Sequence, residues 1–478
     1  MQAVYSFICF CLLVFSCQIF DFDISGIRDS IRQIYPKLKY STSKTNKQNS
    51  EPANETNERI NNPSTQIVSS TKLKNPQTEY MNFNYLCGMK LLVKTFFGLE
   101  PVLVEELERM GAREIIPLKR AVQFEGDLKM LYRASLELRT AVRILTPIHT
   151  FRAQNEDEFY DKVKAMDWGA HLDLKKTFAV DGVTNSPIFT HSKYIALKTK
   201  DAIVDQFRDK TGRRPNVDVR NPDLRINVHI KNDFITISFD TSGEPLFKRA
   251  YREDVGEAPI NEVLAAGMIL LSGWRGDKDF FDPMCGSGTI PIEAAMIAKN
   301  MAPNLLRKEF GFMKWPDFDA KLWNEVVEEA KTRIIDTELF IQRTDSSFQA
   351  FRIAERNAVA AGLRDVITLK RKQFERLEKR NTEGGVLIMN PPYDVRLGVN
   401  QINEFYKSIG DRFKQSWKGV DAWIISSNLE AMKNVGLRPS RRITLFNGSL
   451  ECKFQKYEMY EGTKKVHKRF KNRDKSER

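Results

Sequence analysis

The sequence predicts an α/β protein, with a doubly wound, largely parallel sheet in the C-terminal half and mixed α+β modules before it. Three observations lead there. From about residue 246 onward, short apolar runs alternate with helical patterns, as strand–helix–strand units do. Two of those runs end in loops, residues 282–289 and 390–393, whose side chains suit ligand chemistry, and ligands of open α/β sheets sit beyond the carboxyl ends of the strands. Between residues 89 and 245 strands and helices mix, and two runs alternate in period two about a short polar turn, as in an antiparallel hairpin.

The 478 residues suffice for two or three domains with real cores, and 41% hydrophobic content is that of a globular chain. A formal charge of +13 favours a polyanionic partner without choosing one. Cys9, Cys11, Cys17 and Cys87 precede Met89, leaving Cys285 and Cys452 in the body. That is neither a disulfide framework nor a zinc spacing, and the five histidines show no ligand spacing, so no metal is expected.

Residues 3–17 are apolar apart from Ser6 and Ser16. The run is shorter than the ~20 residues of a spanning helix, and no Lys or Arg precedes it. Residues 40–80 are rich in Asn, Ser, Thr, Lys and Gln and read as disordered. Orderly patterning starts at Met89, so residues 1–88 read as an extension upstream of the true start, a genuine export or organelle leader being the alternative. No stable membrane association is expected of the body.

Residues 89–145 open with a strand over 90–97 and a helix over 99–110, whose Leu99, Val102, Leu103, Leu107 and Met110 share a face and which Gly111 stops. Strands over 114–117 and 121–125, a helix near 128–138 and a β-type run over 141–150 follow. Residues 146–245 carry helices over 156–166 and 193–207, the second with Ala196, Ile203, Val204 and Phe207 on one face, then a hairpin of 225–230 and 234–240. Lys193, Lys198, Lys200, Arg208, Lys210, Arg213, Arg214 and Arg220 gather about the second helix. They read as a solvated face or, given a catalytic half downstream, as a phosphate-tracking surface.

In residues 246–462 an apolar helix covers 258–274, with Pro259 in its first turn. Strands over 280–282, 338–343, 366–369, 385–389 and 422–426 alternate with helices such as 351–361, whose Phe351, Ala354, Ala358 and Ala361 share a side. Runs over 442–446 and 452–460 close the sheet as an antiparallel pair. Phe310, Phe312, Trp315, Phe318 and Trp323 make residues 301–335 an aromatic insertion, a lid or packing flap. Residues 463–478 form a basic tail.

The first loop reads Asp282, Pro283, Met284, Cys285, Gly286, Ser287, Gly288, Thr289. Glycines let a ligand approach the backbone, but the spacing is not the dinucleotide fingerprint, since Pro291 stands where a third glycine would. An acid at the strand end suits an ammonium or sulfonium better than a pyrophosphate. The bland alternative is an ordinary Gly-rich turn. Asp345 follows the next strand and can accept both hydroxyls of a ribose, or serve as a helix N-cap. In the second loop, Asn390, Pro391, Pro392 and Tyr393, the prolines stiffen the chain and leave carbonyls free. The Asn390 side-chain oxygen and the Pro391 carbonyl can accept the two hydrogens of an exocyclic base amine and turn its lone pair toward an electrophilic methyl. Tyr393 can stack on an extruded base. A Pro-rich turn is the bland alternative.

On these strings residues 245–460 resemble the Rossmann-fold S-adenosylmethionine-dependent methyltransferases that modify exocyclic amines. With Phe97-Gly98-Leu99-Glu100, Pro259-Ile260-Asn261-Glu262, Ile292-Glu293-Ala294-Ala295 and Arg356-Asn357-Ala358 added, residues 89–460 resemble the THUMP-containing guanine-N2 RNA methyltransferases. The resemblance implies a seven-stranded Rossmann-like methyltransferase domain preceded by a ferredoxin-like module (89–145) and a THUMP RNA-binding domain (146–245). It implies that Asp282, Gly286 and Gly288 hold the methionyl part of S-adenosyl-L-methionine and Asp345 the ribose, with Pro283, Cys285, Ser287, Thr289 and Gln373 also binding the cofactor. Gln373 replaces an acid that relatives place near the adenine amine, and Asp394 a glycine after the target loop. The expected reaction is methylation of guanine N2 in 23S rRNA, with the base flipped, in the cytoplasm. A tRNA guanine, adenine N6 in DNA, and an RNA-binding assembly factor without chemistry are the rivals.

Overall fold

A computed structural model describes residues 88–252, 259–378, 384–392 and 399–460. The leader, residues 253–258 with Ala258, the loop from Tyr393 through Asp394, and the basic tail lie outside the described residues.

The first half is one eight-stranded sheet in the order β2-β3-β1-β4-β8-β7-β5-β6. Strand β1 (Met89–Lys94) buries alternate residues Leu91 and Val93 under helix α1 (Glu100–Met110), and β2 (Arg113–Leu118) and β3 (Ala121–Gly126) extend its edge. Asp127 caps α2 (Leu128–Glu137) by accepting from the Met130 N–H at 2.7 Å. Strand β4 (Arg143–Arg152) pairs with β1 at one end and β8 along most of its length. The sheet is therefore continuous through residues 145 and 146, where the pattern suggested two modules.

Helices α3 (Glu156–Ala165) and α4 (Ser192–Thr211) cover the rest, with β5 (Thr177–Asn185), the two-residue β6 (Asn216–Val217), β7 (Leu224–Lys231) and β8 (Phe234–Asp240). Strand β5 escapes the sequence reading because Asp181 and Gly182 interrupt its apolar run. Gly182 is required there: a Cβ would collide with the Ser192 carbonyl at the start of α4. Helix α4 is longer than expected; of the expected face Ile203, Val204 and Phe207 are buried, with Ile195, Thr199, Ala202 and Gln206 beside them, and Ala196 is only half-buried. Its charges are largely balanced: Lys198 pairs with Asp157, Lys200 with Asp201, Arg208 with Asp205 and Lys210 with Asp167. Of the basic cluster, Lys193, Arg213, Arg214 and Arg220 have no ion pair among the described residues.

The second half is a seven-stranded sheet, β11-β10-β9-β12-β13-β15-β14. Helix α5 (Glu262–Leu271) begins later than the pattern predicts, because the Asn261 side chain caps the Val263 N–H at 2.9 Å and Pro259 lies upstream of that cap. Then come β9 (Phe280–Asp282), α6 (Thr289–Ala298), α7 (Ala320–Thr332), β10 (Ile341–Asp345), α8 (Phe348–Ala360), β11 (Ile367–Arg371) and β12 (Val386–Met389). Helix α9 (Val399–Ser416), β13 (Asp421–Ser426), α10 (Leu429–Lys433), β14 (Arg441–Asn447) and β15 (Leu450–Glu458) complete the unit. Strands β9 to β13 are parallel, and β15 runs antiparallel to both neighbours. Strand β10 starts three residues later than predicted, after Phe340, whose carbonyl accepts the Phe280 N–H at 2.9 Å.

The aromatic insertion is packing rather than a lid. Phe310, Phe312 and Trp323 are buried against Tyr132 of α2, and the Tyr132 hydroxyl accepts the Asp319 N–H at 3.0 Å. Among the described residues no helix is long and apolar enough to cross a membrane.

Candidate active site

The sheet reverses its winding at β9: the chain moves outward through β10 and β11, then returns to lay β12 on the other side. A crevice at the carboxyl end of such a switch point is where open α/β sheets bind ligands. Both chemistry-bearing loops leave the sheet there, one from β9 and one from its neighbour β12.

Asp282 closes β9 and is 1% exposed. Its Oδ1 accepts the Met284 N–H at 3.2 Å, while Oδ2 is buried with no partner. Burial above all, then the nearby Asp345, pushes its carboxyl up to about 8 against the pull of the Met284 N–H and Arg343. The loop is held from three sides. The Cys285 N–H donates to the Thr344 carbonyl at 3.0 Å, the Thr344 hydroxyl to the Pro283 carbonyl at 3.2 Å, and Asn357 Nδ2 to the Ser287 carbonyl at 3.0 Å. Gly288, at φ 83°, is the N-cap of α6, and a side chain there would run into Arg343 and Ala354. Burial, then the Asp282 charge, pushes the Cys285 thiol well up, so it is a neutral packing group and not a nucleophile.

Asp345 ends β10 beside the loop. Its Oδ2 accepts the Gly286 N–H at 3.0 Å and its Oδ1 the Ser347 N–H at 2.9 Å. The N-cap of α8 is Ser347, whose hydroxyl accepts from Ala350 at 3.3 Å, so Asp345 is not the cap. Each carboxylate oxygen keeps a lone pair for a further donor. Gln373 is exposed two residues beyond β11, and the preceding Lys372 N–H donates to the Asp345 carbonyl at 3.2 Å.

Asn390 follows β12 directly. Its Oδ1 is buried and has no hydrogen-bond partner among the described residues, an acceptor left open where a donor can enter. Pro391 is buried and Pro392 exposed. Tyr393 lies outside the described residues.

Sequence reasoning missed several residues that position these loops. The fully buried Tyr406 of α9 donates to the Pro392 carbonyl at 3.5 Å and shares a 2.8 Å hydrogen bond with the Ser426 hydroxyl. Arg252 donates to the Thr289 hydroxyl at 3.0 Å, and its Nε lies 2.7 Å from Glu262, an ion pair too poorly angled for a hydrogen bond. Arg343 lies under the loop with its nitrogens unpartnered. Asn357 was visible inside Arg356-Asn357-Ala358; Tyr406 and Arg252 carry no such signal, because the loop atoms they hold, the Pro392 carbonyl and the Thr289 hydroxyl, are 14 and 37 residues away.

A seven-stranded sheet of this order, with an acidic strand end and a glycine turn at its switch point, defines an S-adenosylmethionine-dependent methyltransferase. Models described as "RMKL-like, methyltransferase domain", "THUMP domain" and "RlmL ferredoxin-like domain" match residues 249–456, 153–240 and 90–145. A Synechocystis sp. (strain ATCC 27184 / PCC 6803 / Kazusa) protein carrying the name RNA methyltransferase slr0064 is 37% identical over 365 residues, covering 76% of this chain and 95% of that protein. The chain belongs to this family, the THUMP-domain RMKL-like methyltransferases.

Ribosomal RNA large subunit methyltransferase K/L of Syntrophotalea carbinolica (strain DSM 2380 / NBRC 103641 / GraBd1) is 38% identical over 379 residues, 76% of this chain and 53% of that protein. The chain thus spans about half the length of the K/L relatives it matches. Among solved structures, the methyltransferase-class SMU.472 complexed with SAH is 32% identical, at a TM-score of 0.70 over 79% of this chain and 99% of that one. A Listeria monocytogenes str. 4b F2365 structure, bearing the name of an N6-adenine-specific DNA methylase, is 31% identical at 0.70, over 79% and 98%.

Proposed function

We propose that the protein transfers a methyl group from S-adenosylmethionine to N2 of a guanine in 23S rRNA, within the cytoplasm where ribosomes are built. The observation that carries the amine chemistry is the buried, unpartnered Asn390 Oδ1 at the end of β12, beside the cofactor loop of β9. When bound, S-adenosylmethionine supplies an electrophilic methyl on a sulfonium. The residues present fit it: Asp282 Oδ2 is an open acceptor for its ammonium, and Asp345 has lone pairs for the ribose hydroxyls. Asn390 Oδ1 and the Pro391 carbonyl accept the amine hydrogens, turning the nitrogen lone pair toward the methyl. Tyr393 stacks on the flipped base, and Gln373 is available to the adenine edge.

The THUMP match and the large-subunit K/L relatives support RNA, and rRNA ahead of tRNA. The second reading is adenine-N6 methylation of DNA, which the Listeria relative's name favours. Deleting the gene and measuring N2-methylguanosine by mass spectrometry, in separated large-subunit rRNA and tRNA digests, tests the proposal. Loss from the rRNA fraction is expected. Loss from tRNA alone moves the substrate, and no loss from either ends the guanine-N2 reading in favour of N6-methyladenine.

A further inference from the structure

Arg343 lies on β10 in register with Asp282 of β9, and is 1% exposed. Its Nε and both Nη atoms are buried without a hydrogen-bond partner. The guanidinium is pressed against the cofactor loop, with Gly288 on one side and Ala354 of α8 close by. Two acceptors at this crevice also keep unused capacity, Asn390 Oδ1 and Asp282 Oδ2, and Asp282 is the one in register with Arg343. An unpaired charge costs several kcal/mol in a protein interior. A chain that keeps one beside a half-satisfied carboxylate at its ligand crevice is violating a packing rule where function lies.

The groups facing Asp282 are Arg343 and Asp345 from β10 and Cys285 from the loop. Arg343 in turn faces Glu355 of α8 and Arg364 beyond it. Arg343 is thus the one cation among the groups that face Asp282. The acid is also hard to ionise, since burial pushes it up to about 8. At neutral pH Asp282 is mostly a neutral acid in the empty site, and it becomes a carboxylate only if the entering ligand is worth the loss of its proton.

We propose that Arg343 is a positioning residue for the cofactor: its fixed positive charge lets Asp282 release a proton when the ligand's ammonium arrives, forming a carboxylate that would otherwise stay a neutral acid. The inference rests on the S-adenosylmethionine reading. No atom of Arg343 needs to touch the ligand. The proton goes to solvent, and the ammonium takes over as the hydrogen-bond donor to Asp282 Oδ2.

The test is calorimetry of the full chain with S-adenosylhomocysteine, between pH 6.5 and 9.5, on the wild type, Arg343→Lys, Arg343→Met and Asp282→Asn. In the wild type near pH 7, binding heats should differ between buffers of unlike ionisation enthalpy, showing proton release, and Asp282→Asn should abolish that difference. Arg343→Met should weaken binding about tenfold or more at pH 7. Its ratio to wild type should shrink above pH 9, where the acid ionises in both proteins. The ligand's own titration is common to the two and cancels in that ratio. Arg343→Lys should stay close to wild type. Ligand-free Arg343→Met should melt no lower than wild type, since it loses an unpaired charge.

A ratio that is the same at every pH, unchanged affinity in Arg343→Met, or a lower melting temperature or failure to fold in that variant would each overturn the proposal. So would wild-type binding without proton release, a measurement that needs no variant. Absence of any wild-type binding would instead bring down the methyltransferase reading, and this inference with it.

Discussion

Asp282 carries opposite demands on the proposed reading, because burial favours its neutral acid and the ammonium of the proposed ligand would favour its carboxylate. Its carboxyl is raised from the usual value to about 8. The folded state therefore binds a proton that the unfolded chain releases near pH 4. The stability this confers is fully present below pH 4 and is lost as pH rises to 8. Ligand-free wild type should accordingly lose thermal stability between pH 6 and 8, while Asp282→Asn should show a flatter melting profile over that window; equal slopes would mean the acid is not raised. Asp282→Ala should weaken cofactor binding before it touches turnover at saturating cofactor. Asn390→Ala should do the reverse, abolishing turnover while calorimetry still finds cofactor affinity within about twofold of wild type, because no described bond of the fold depends on its Oδ1. Equal loss of both properties would mark Asn390 as structural. At this scale the sequence was informative on where the loops fall, since the runs Asp282 through Thr289 and Asn390 through Pro392 do follow adjacent strands of one sheet. It was silent on Arg343, since an arginine inside an apolar strand run says nothing of what lies above it.

The target loop depends on two elements that its own sequence does not reveal. Helix α9 brings Tyr406 under Pro392, and β13 ends in Ser426, whose hydroxyl accepts the Asn428 N–H at 3.1 Å and meets the tyrosine hydroxyl. Removing that hydroxyl should cost about 0.5–1.5 kcal/mol of loop positioning. Tyr406→Phe is expected to reduce kcat by roughly two- to tenfold with cofactor affinity unchanged; a proportional fall in both would assign Tyr406 to general stability. The elements were largely legible by periodicity, β9 through β13 as apolar runs and the closing pair as alternation. The errors fell where side chains outvoted pattern: Asn261 capped α5 later than Pro259 suggested, and Gly182 concealed β5 because α4 needed the space. The basic cluster about α4 read as a solvated face or a phosphate-tracking surface, and Asp157, Asp201, Asp205 and Asp167 pair with four of its eight cations.

Across the whole molecule the two sheets share their cores. Leu99, the N-cap of α1, and Val102 within it belong to the cluster of Val263, Leu264 and Ile290 around the seven-stranded sheet, and Phe310, Phe312 and Trp323 of the second half fill the cluster of Leu131 and Tyr132 in the first. Between them runs a buried polar link. Arg249 donates to Glu293 of α6 at 3.4 Å and to the Arg139 carbonyl at 2.6 Å, Tyr251 donates to Glu293 at 3.1 Å, and Arg139 reaches the Met301 carbonyl at 2.7 Å. Helix α6, which opens at the 282–289 loop, is thereby fixed to the ferredoxin-like module, whose sheet continues into the THUMP domain. No stretch of sequence announces this, because each partner is at least 42 residues from the next along the Arg249, Tyr251 and Glu293 contacts. Breaking a buried pair on one side strands the other charge, at about 3–5 kcal/mol. Arg249→Met should lower the melting temperature sharply, and Arg249→Met with Glu293→Leu should recover much of the loss by leaving neither charge alone. If the double variant melts no higher than the single one, the arginine's bonds to the Arg139 and Leu246 carbonyls carry the link instead. By the same logic residues 246–478 expressed alone should bind a hydrophobic dye and lack a cooperative melt, since the apolar face that α1 and α2 cover would be open to water.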